Sequence, residues 1–495
     1  MAQAAGQSSG ATGAPRVAIV GGGFGGIAAG VKLKRAGIHT FTLYERSERV
    51  GGTWWDNQYP GCEVDVQSHL YSYAFKPYDW SRTHARREEL HGYLEETVSD
   101  HGLWPHVRLG TAVDRAEWDE GTHTWTLTLD SGETDEVNAL ICATGFLNVP
   151  RYPDWPGLDD FTGPRFHSAR WQHEHDLTDK VVALVGTGST AVQILGEIQP
   201  IARQVHLYQR EPGWVIAKGE RDFTPEERAR LRTYWGHRIE RWRQLARIEK
   251  GVLNGAVYRP GTKTNLLREQ QCRDYVAREL ADRPDLAALV IPTYPYPGKR
   301  PIFHSTYYAA LKQDNVELVP RAVASVTPTG VVDVDGVERA ADVLVMCTGF
   351  QPTNYLAHIE VVGRARQKLR DTWAGEPRAF LGITVPGFPN FFILYGPGTN
   401  GGEIVTMLER QSEYAVRVVK RLARGDVTAV DVKPRWAQRY DRWLQSKMAG
   451  TSWTMSHNYF TTDSGKVVTQ WPYGPTLYGL MTKVLGRPSE TARRR

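Results

Sequence analysis

One pattern occurs twice in this chain, and it limits the possible folds more than any other feature. Arg16 to Val20 is a short apolar run that enters Gly21-Gly22-Gly23-Phe24-Gly25-Gly26. A helical stretch with Ile27, Val31 and Leu33 apolar follows, Gly37 suits its C-terminal cap, and Phe41 to Glu45 reads as a second strand. Far downstream, Val181 to Val185 again enters Gly186-Thr187-Gly188-Ser189-Thr190-Ala191. A helix with Val192, Ile194 and Leu195 and a strand from Val205 to Tyr208 complete the second copy. Each copy is a β-α-β unit of the kind that builds a parallel sheet.

The copies agree further on. Trp125 to Leu129 alternates and meets the turn Asp130-Ser131-Gly132, and an apolar strand from Ala139 to Ala143 ends at Thr144-Gly145. In the second copy Val331 to Val334 and the turn Asp335-Gly336 precede Val343 to Met346, which ends at Thr348-Gly349. The expected fold is α/β: two Rossmann-like dinucleotide-binding domains in a layout similar to glutathione reductase, with a helical insertion. We place a disordered leader at 1–14, one discontinuous domain at 15–150 and 352–495, the other at 151–219 and 296–351, and the insertion at 220–295. Thr224-Pro225-Glu226-Glu227 has a cap, a proline at the first helical position and a glutamate reaching back, so a helix starts there. Another is expected near Asn265 to Ala281. The insertion either roofs a site or elaborates the packing.

Composition excludes several classes. The net charge of +5 is small for 495 residues and the basic residues are scattered, so no nucleic-acid footprint is expected. Four cysteines, at 62, 142, 272 and 347, form no CxxC pair, which argues against a zinc site, a secreted disulfide framework and a redox dithiol. No metal is expected. No apolar run approaches the roughly 20 residues needed to span a bilayer. The expectation is a soluble, cytoplasmic protein, with oligomeric state left open.

Each glycine turn has a physical use. Gly21 permits a tight turn after the strand, Gly23 lets backbone approach a pyrophosphate, and Gly26 lets the helix pack closely on the sheet. The helix N-terminus then offers unpaired N–H groups to phosphate. Glu45, 24 positions after Gly21, stands where a carboxylate accepts ribose hydroxyls. In the second copy Gly186 and Gly188 hold the turn, Ala191 replaces the third glycine, and Arg210, after Gln209, stands 24 positions after Gly186. A guanidinium there suits a 2′-phosphate, although a solvated surface arginine is the plainer alternative. We therefore expect FAD at the first site and NADPH at the second.

Two further segments carry a more specific resemblance. Gly51-Gly52-Thr53-Trp54-Trp55-Asp56-Asn57-Gln58-Tyr59-Pro60-Gly61-Cys62-Glu63-Val64-Asp65 resembles the pattern GGxWxxxx(F/Y)PGxxxD. Phe161, Gly163, His167 and Trp171 resemble FxGxxxHxxxW, with Gln172 where the longer form has proline or aspartate. Together these look like the paired signatures of the type I Baeyer–Villiger monooxygenases, from about residue 15 to 475. Flavin monooxygenases that oxygenate nitrogen or sulfur share much of the layout but typically lack the tryptophan of the second signature.

The resemblance implies an NADPH-dependent flavoprotein monooxygenase that converts a ketone to an ester or lactone with O2 through a flavin-peroxide. It implies that Arg300, in Gly298-Lys299-Arg300, supplies a fixed cation and that Asp65 positions it; the alternative is a surface pair, or two residues that never meet. It counts Thr53, Trp54, Ser189, Thr190 and Gln209 with the cofactor-binding residues, and places Lys299 beside Arg210, unless Lys299 is simply solvated. It places Gly396 and Pro397, in Tyr395-Gly396-Pro397-Gly398-Thr399-Asn400, before a helix aimed at the flavin. His167 and Trp171 are expected to couple domain motion to NADPH binding, with a buried, satisfied histidine as the rival reading. Core packing is the expectation for most aromatics between Trp453 and Pro472, while Tyr234, Trp235, Trp242, Tyr294 and Tyr296 hint at an apolar pocket. Alternative functions are nitrogen or sulfur oxygenation, or non-catalytic binding of flavin and NADPH.

Overall fold

The computed structural model describes residues 14–401 and 403–493, so the leader expected at 1–14 lies almost wholly outside the described residues. Val17–Val20 pairs in parallel with Phe41–Tyr44 on one side and with Ala139–Cys142 on the other. Phe391–Ile393 joins the outer edge of Ala139–Cys142, and Val107–Arg108 extends the other edge, giving five parallel strands. The second sheet repeats the plan. Val181–Val185 lies between Gln204–Tyr208 and Val343–Met346, with Val316–Val319 and Arg165–His167 at the edges. All of Val17–Val20, Ala139–Cys142 and Val343–Met346 are buried, as strands covered on both faces require. Each sheet carries a small antiparallel meander, Val113–Asp119 with Thr124–Leu129 and Thr134–Val137 in one, and Val323–Thr327 with Gly330–Asp333 and Glu338–Ala340 in the other.

Two chain crossings join the sheets and run antiparallel side by side. Arg151 N donates to Gly349 O at 2.9 Å, Gln351 N to Val149 O at 3.0 Å, and the Thr348 hydroxyl to Arg151 O at 2.6 Å. His167 reaches the same place, with Nε2 3.0 Å from Gly349 O.

The insertion holds helices at Pro225–Leu231, Tyr234–Gly251, Lys263–Glu279 and Pro284–Leu289. The first begins with the expected capping box between Thr224 and Glu227. The longest of them, Tyr234–Gly251, seats itself by polar residues. His237, Arg241 and Gln244 are buried, and the Arg241 guanidinium donates to the carbonyls of Leu70 and Ser72 and to the Thr406 hydroxyl, at 2.8, 2.5 and 2.8 Å. Trp235 and Trp242 face outward, each 69% exposed, so they line no pocket. No helix among the described residues is long and apolar enough to cross a membrane.

Candidate active site

Both glycine turns open onto one cavity of about 2190 Å³. Gly21 and Gly186 occupy the same strained position in their units, with φ of +107° and +117°. A Cβ on Gly21 would stand 2.6 Å from the Ala143 carbonyl, and one on Gly186 would stand 2.5 Å from the Cys347 carbonyl. Only glycine fits where the turn passes under the return strand. The helices that follow, Phe24–Arg35 and Ser189–Ile198, have no side-chain cap at Gly23 or Gly188 and no acid in the first turn. Their leading N–H groups keep their partial positive charge for an anion.

Several observations test whether these turns suit dinucleotides. At Gly188 no heavy atom lies within 4 Å of where a Cβ would be, so the turn is open toward the cavity. Trp54 Nε1 and Asp65 Oδ1 are buried without a protein partner, and both residues line the cavity. Glu45 is buried, with Oε2 accepting from Gly22 N at 2.6 Å and Oε1 from Ser47 N at 2.8 Å, and burial raises its pKa. The residues present fit two bound dinucleotides.

Gly21, Gly23, Glu45, Thr53, Trp54, Asp65, Gly186, Gly188, Ser189, Thr190, Arg210, Lys299 and Arg300 all line this cavity. Others expected there do not. Gln209 is buried and its Nε2 donates to Leu289 O at 2.8 Å, because the residue just after the strand turns back into the fold. Gly396 and Pro397 are not in the lining either; a Cβ on Gly396 would meet Gly382 O at 2.3 Å, so this glycine serves close backbone packing. Gly26 acts as a packing glycine too, with a Cβ position 1.9 Å from Gly21 O. The helix expected after Asn400 is Ile404–Ala423, and its N-terminus is occupied by its own cap. The Glu403 carboxylate accepts from Val405 N and Thr406 N at 2.9 and 2.6 Å.

The second signature lies behind the cavity. Phe161 is buried in a small core beneath the second sheet, and Gly163 lets the Asp342 carbonyl approach to 2.2 Å of a Cβ position. His167 is fully buried and satisfied, since its Nδ1 accepts from Ala169 N at 3.1 Å. Burial lowers its pKa to about 4, which keeps the ring neutral. Trp171 packs edge-on against Phe166 and lines a separate hollow with Arg46, Trp55 and Asp56.

Arg300 and Asp65 do meet. Arg300 Nη2 donates to Asp65 Oδ2 at 2.8 Å. The arginine side chain is 43% exposed and its carboxylate partner 9%, and the exposed arginine surface faces the cavity. Burial works to lower the arginine pKa, but Asp65, Tyr459 and Tyr395 outweigh it and raise it, so the guanidinium is a fixed cation. Four distant parts of the chain thus converge: the loop ending at Asp65, the segment after the insertion, the end of the strand Phe391–Ile393, and the tail. Tyr294, Tyr296, Trp453 and Tyr459 line the cavity, whereas Trp471 is buried in the core.

Two neighbours were not anticipated. Lys218 Nζ bonds the Glu63 carboxylate at 2.8 Å, both nearly buried on the cavity wall, and Lys299 Nζ forms an ion pair with Glu211. Glu211 was visible next to Arg210, but only the fold reveals the lysine it holds.

Comparison with known proteins agrees with this architecture. The family described as flavin-binding monooxygenase-like matches residues 14–227. A Baeyer–Villiger monooxygenase of Streptomyces coelicolor is 37% identical over 470 residues, covering 92% of this chain and 88% of the relative. One of Pseudomonas aeruginosa is 35% identical, covering 92% and 87%. Among solved structures, cyclohexanone monooxygenase from Rhodococcus sp. Phi1 bound to NADP+ superposes with a TM-score of 0.87 at 26% identity, covering 97% of this chain and 99% of that one. Oxidized steroid monooxygenase bound to NADP gives 0.87 at 28% identity, covering 97% and 100%. Relatives of one name run along nearly the whole chain, and the paired glycine turns share one cavity: this chain belongs to the Baeyer–Villiger monooxygenase family.

Proposed function

We propose that this chain inserts one oxygen atom of O2 beside a ketone carbonyl, taking ketone, O2, NADPH and a proton to an ester or lactone, NADP+ and water. FAD, once bound and reduced by NADPH, supplies the activated oxygen. The observation that carries the reading is the Arg300–Asp65 pair on the wall of a cavity that both glycine turns share.

The roles follow from chemistry. Gly21, Gly23 and the uncapped helix behind them receive the FAD pyrophosphate, Glu45 accepts from its ribose, and Thr53 and Trp54 border the same wall. Gly186, Gly188, Ser189 and Thr190 receive the NADPH pyrophosphate, and Arg210 and Lys299 face its 2′-phosphate. Arg300 holds a permanent positive charge where negative charge develops on oxygen, and it does so without giving up a proton. Asp65 fixes the direction of that guanidinium. The apolar and aromatic surface around the pair excludes water, which strengthens the electrostatic effect.

This reading assigns 15–150 with 352–495 to FAD and 151–219 with 296–351 to NADPH, with 220–295 as the insertion and His167 and Trp171 on the link. All four cysteines are unpaired thiols, which suits the reducing cytoplasm.

The test is NADPH-dependent oxygen uptake across a ketone panel with product analysis. Esters or lactones are expected; hydrogen peroxide alone, or turnover confined to amines and thioethers, would overturn the reading. Arg300→Ala should still allow NADPH to reduce the flavin while ester formation falls about 100-fold or more. Ester production that survived the change would remove Arg300 from the mechanism.

A further inference from the structure

The helix Tyr234–Gly251 carries its apolar arc on the outside. Spacings of four and three residues put Trp235, Ile239 and Trp242 in one line along its axis. All three are exposed. The opposite face holds His237, Arg241 and Gln244, which seat the helix on the fold. A continuous outward row of two tryptophans and an isoleucine adds nothing to the core, so its use lies in a partner outside the chain.

The charges beside the row identify the partner. Arg238 stands on one flank, Arg243 and Lys250 on the other, and all three are exposed. Arg238 and Lys250 form no ion pair among the described residues, and the Arg238 guanidinium lies 5.4 Å from the centre of the Tyr234 ring. Both glutamates of the helix are engaged. Glu240 lies 3.9 Å from Arg243 and accepts from Gln244 Nε2 at 3.0 Å, and Glu249 accepts from Thr476 N at 2.7 Å. The outer face is therefore apolar along its middle and cationic at both sides. Such a face matches a bilayer surface, with indole rings at the headgroup boundary and long basic side chains reaching lipid phosphates. A second copy of the chain laid on the same row would set its own basic flanks against these, like charge on like.

We propose that this helix seats the enzyme on an anionic lipid surface, lying in the plane of the headgroups without crossing them. Gln244, Arg247 and Ile248 of the same helix line the large cavity, and Arg247 is also exposed, so the seated helix places the cavity's rim beside the lipid. A ketone dissolved in the membrane then meets that rim without crossing bulk water. This consequence rests on the proposed reaction, whereas the docking does not.

The test uses the full-length, FAD-loaded protein and reads its bound fraction by flotation with vesicles. One set holds phosphatidylglycerol and phosphatidylcholine in equal parts, the other phosphatidylcholine alone. Binding to the mixed vesicles should be tighter by about ten-fold or more, and should weaken as salt rises. Trp235→Ser combined with Trp242→Ser should lower binding to the mixed vesicles about ten-fold or more, with melting temperature, flavin content and NADPH oxidation in vesicle-free buffer unchanged. Arg238→Gln should weaken binding to the mixed vesicles about five-fold and leave phosphatidylcholine vesicles unaffected. Absence of vesicle binding, or binding that the double tryptophan variant keeps, would overturn the proposal. So would a dimer of the parent protein in vesicle-free buffer that this variant dissociates, since the row would then belong to a second copy.

Discussion

Four imidazole nitrogens, Nδ1 and Nε2 of His69 and His237, are buried without a hydrogen-bond partner, and the two rings lie 5.8 Å apart. His237 faces His69, Arg241 and Arg238, and burial first, then these neighbours, lower its pKa from 6.5 to about 3; His69 in turn faces Arg230, Asp79 and Arg241. The unfolded chain therefore takes a proton near 6.5 that the folded chain refuses until about 3. Stability held above that upper value is lost as pH falls through the window. His237→Leu removes this loss, so its melting temperature relative to the parent should rise between about pH 7 and about pH 5. A constant difference over that range would dismiss the linkage. At this scale the sequence was legible where a residue acts through its own chemistry. The turn at Gly21 and the place of Glu45 after the second strand were readable from type and spacing, whereas Arg300 was reached only through the resemblance to a family. Gln209 and Glu211 were not readable, because a neighbour decides their role: Leu289 turns one inward and Lys299 turns the other into half of an ion pair.

At the scale of elements, the strands and the glycine-turn helices fell within a residue or so of expectation, because burial on both faces and a fixed turn leave little choice. The helix Tyr234–Gly251 was harder to read. It buries a polar face (His237, Arg241 and Gln244) and exposes its tryptophans, so the usual apolar periodicity is inverted. Similarly, the helix Ile404–Ala423 spends its N-terminal charge on Glu403, a contact that depends on the loop before it. The glycine-turn helices permit a sharp prediction. Gly26→Ala would place a methyl 1.9 Å from the Gly21 carbonyl oxygen, a backbone atom that cannot swing aside as a side chain would, with the Ile19 side chain 3.3 Å away. Strain of about 1–3 kcal/mol should push the helix from the turn. The purified variant should lose most of its bound flavin, seen as lost visible absorbance, while Gly92→Ala, inside the helix Arg87–Asp100 with nothing within 4 Å, should keep it.

Across the whole molecule, the sequence showed two repeated units but not the space between them. The shared cavity is built from segments separated by hundreds of residues, and no local pattern encodes its size. Because its walls come from both sheets, a coenzyme that spans it should stabilise the pair together. NADP+ at about 100 times its Kd should add about 2.7 kcal/mol, read as a higher melting temperature. Arg210→Ala should reduce that rise at the same concentration, and an equal rise would exclude Arg210 from the site.

The paired crossings at Val149–Arg151 and Thr348–Gln351 set the terms on which such a molecule moves. Two antiparallel ribbons tied at three points bend poorly across their width and twist readily along their length, so relative motion of the sheets becomes rotation about a single line. Thr144-Gly145 and Thr348-Gly349, on the cavity wall, lie within a few residues of that line and sweep through the shortest arcs. A swivel of one sheet against the other would thus leave the ground nearest the pivot almost still.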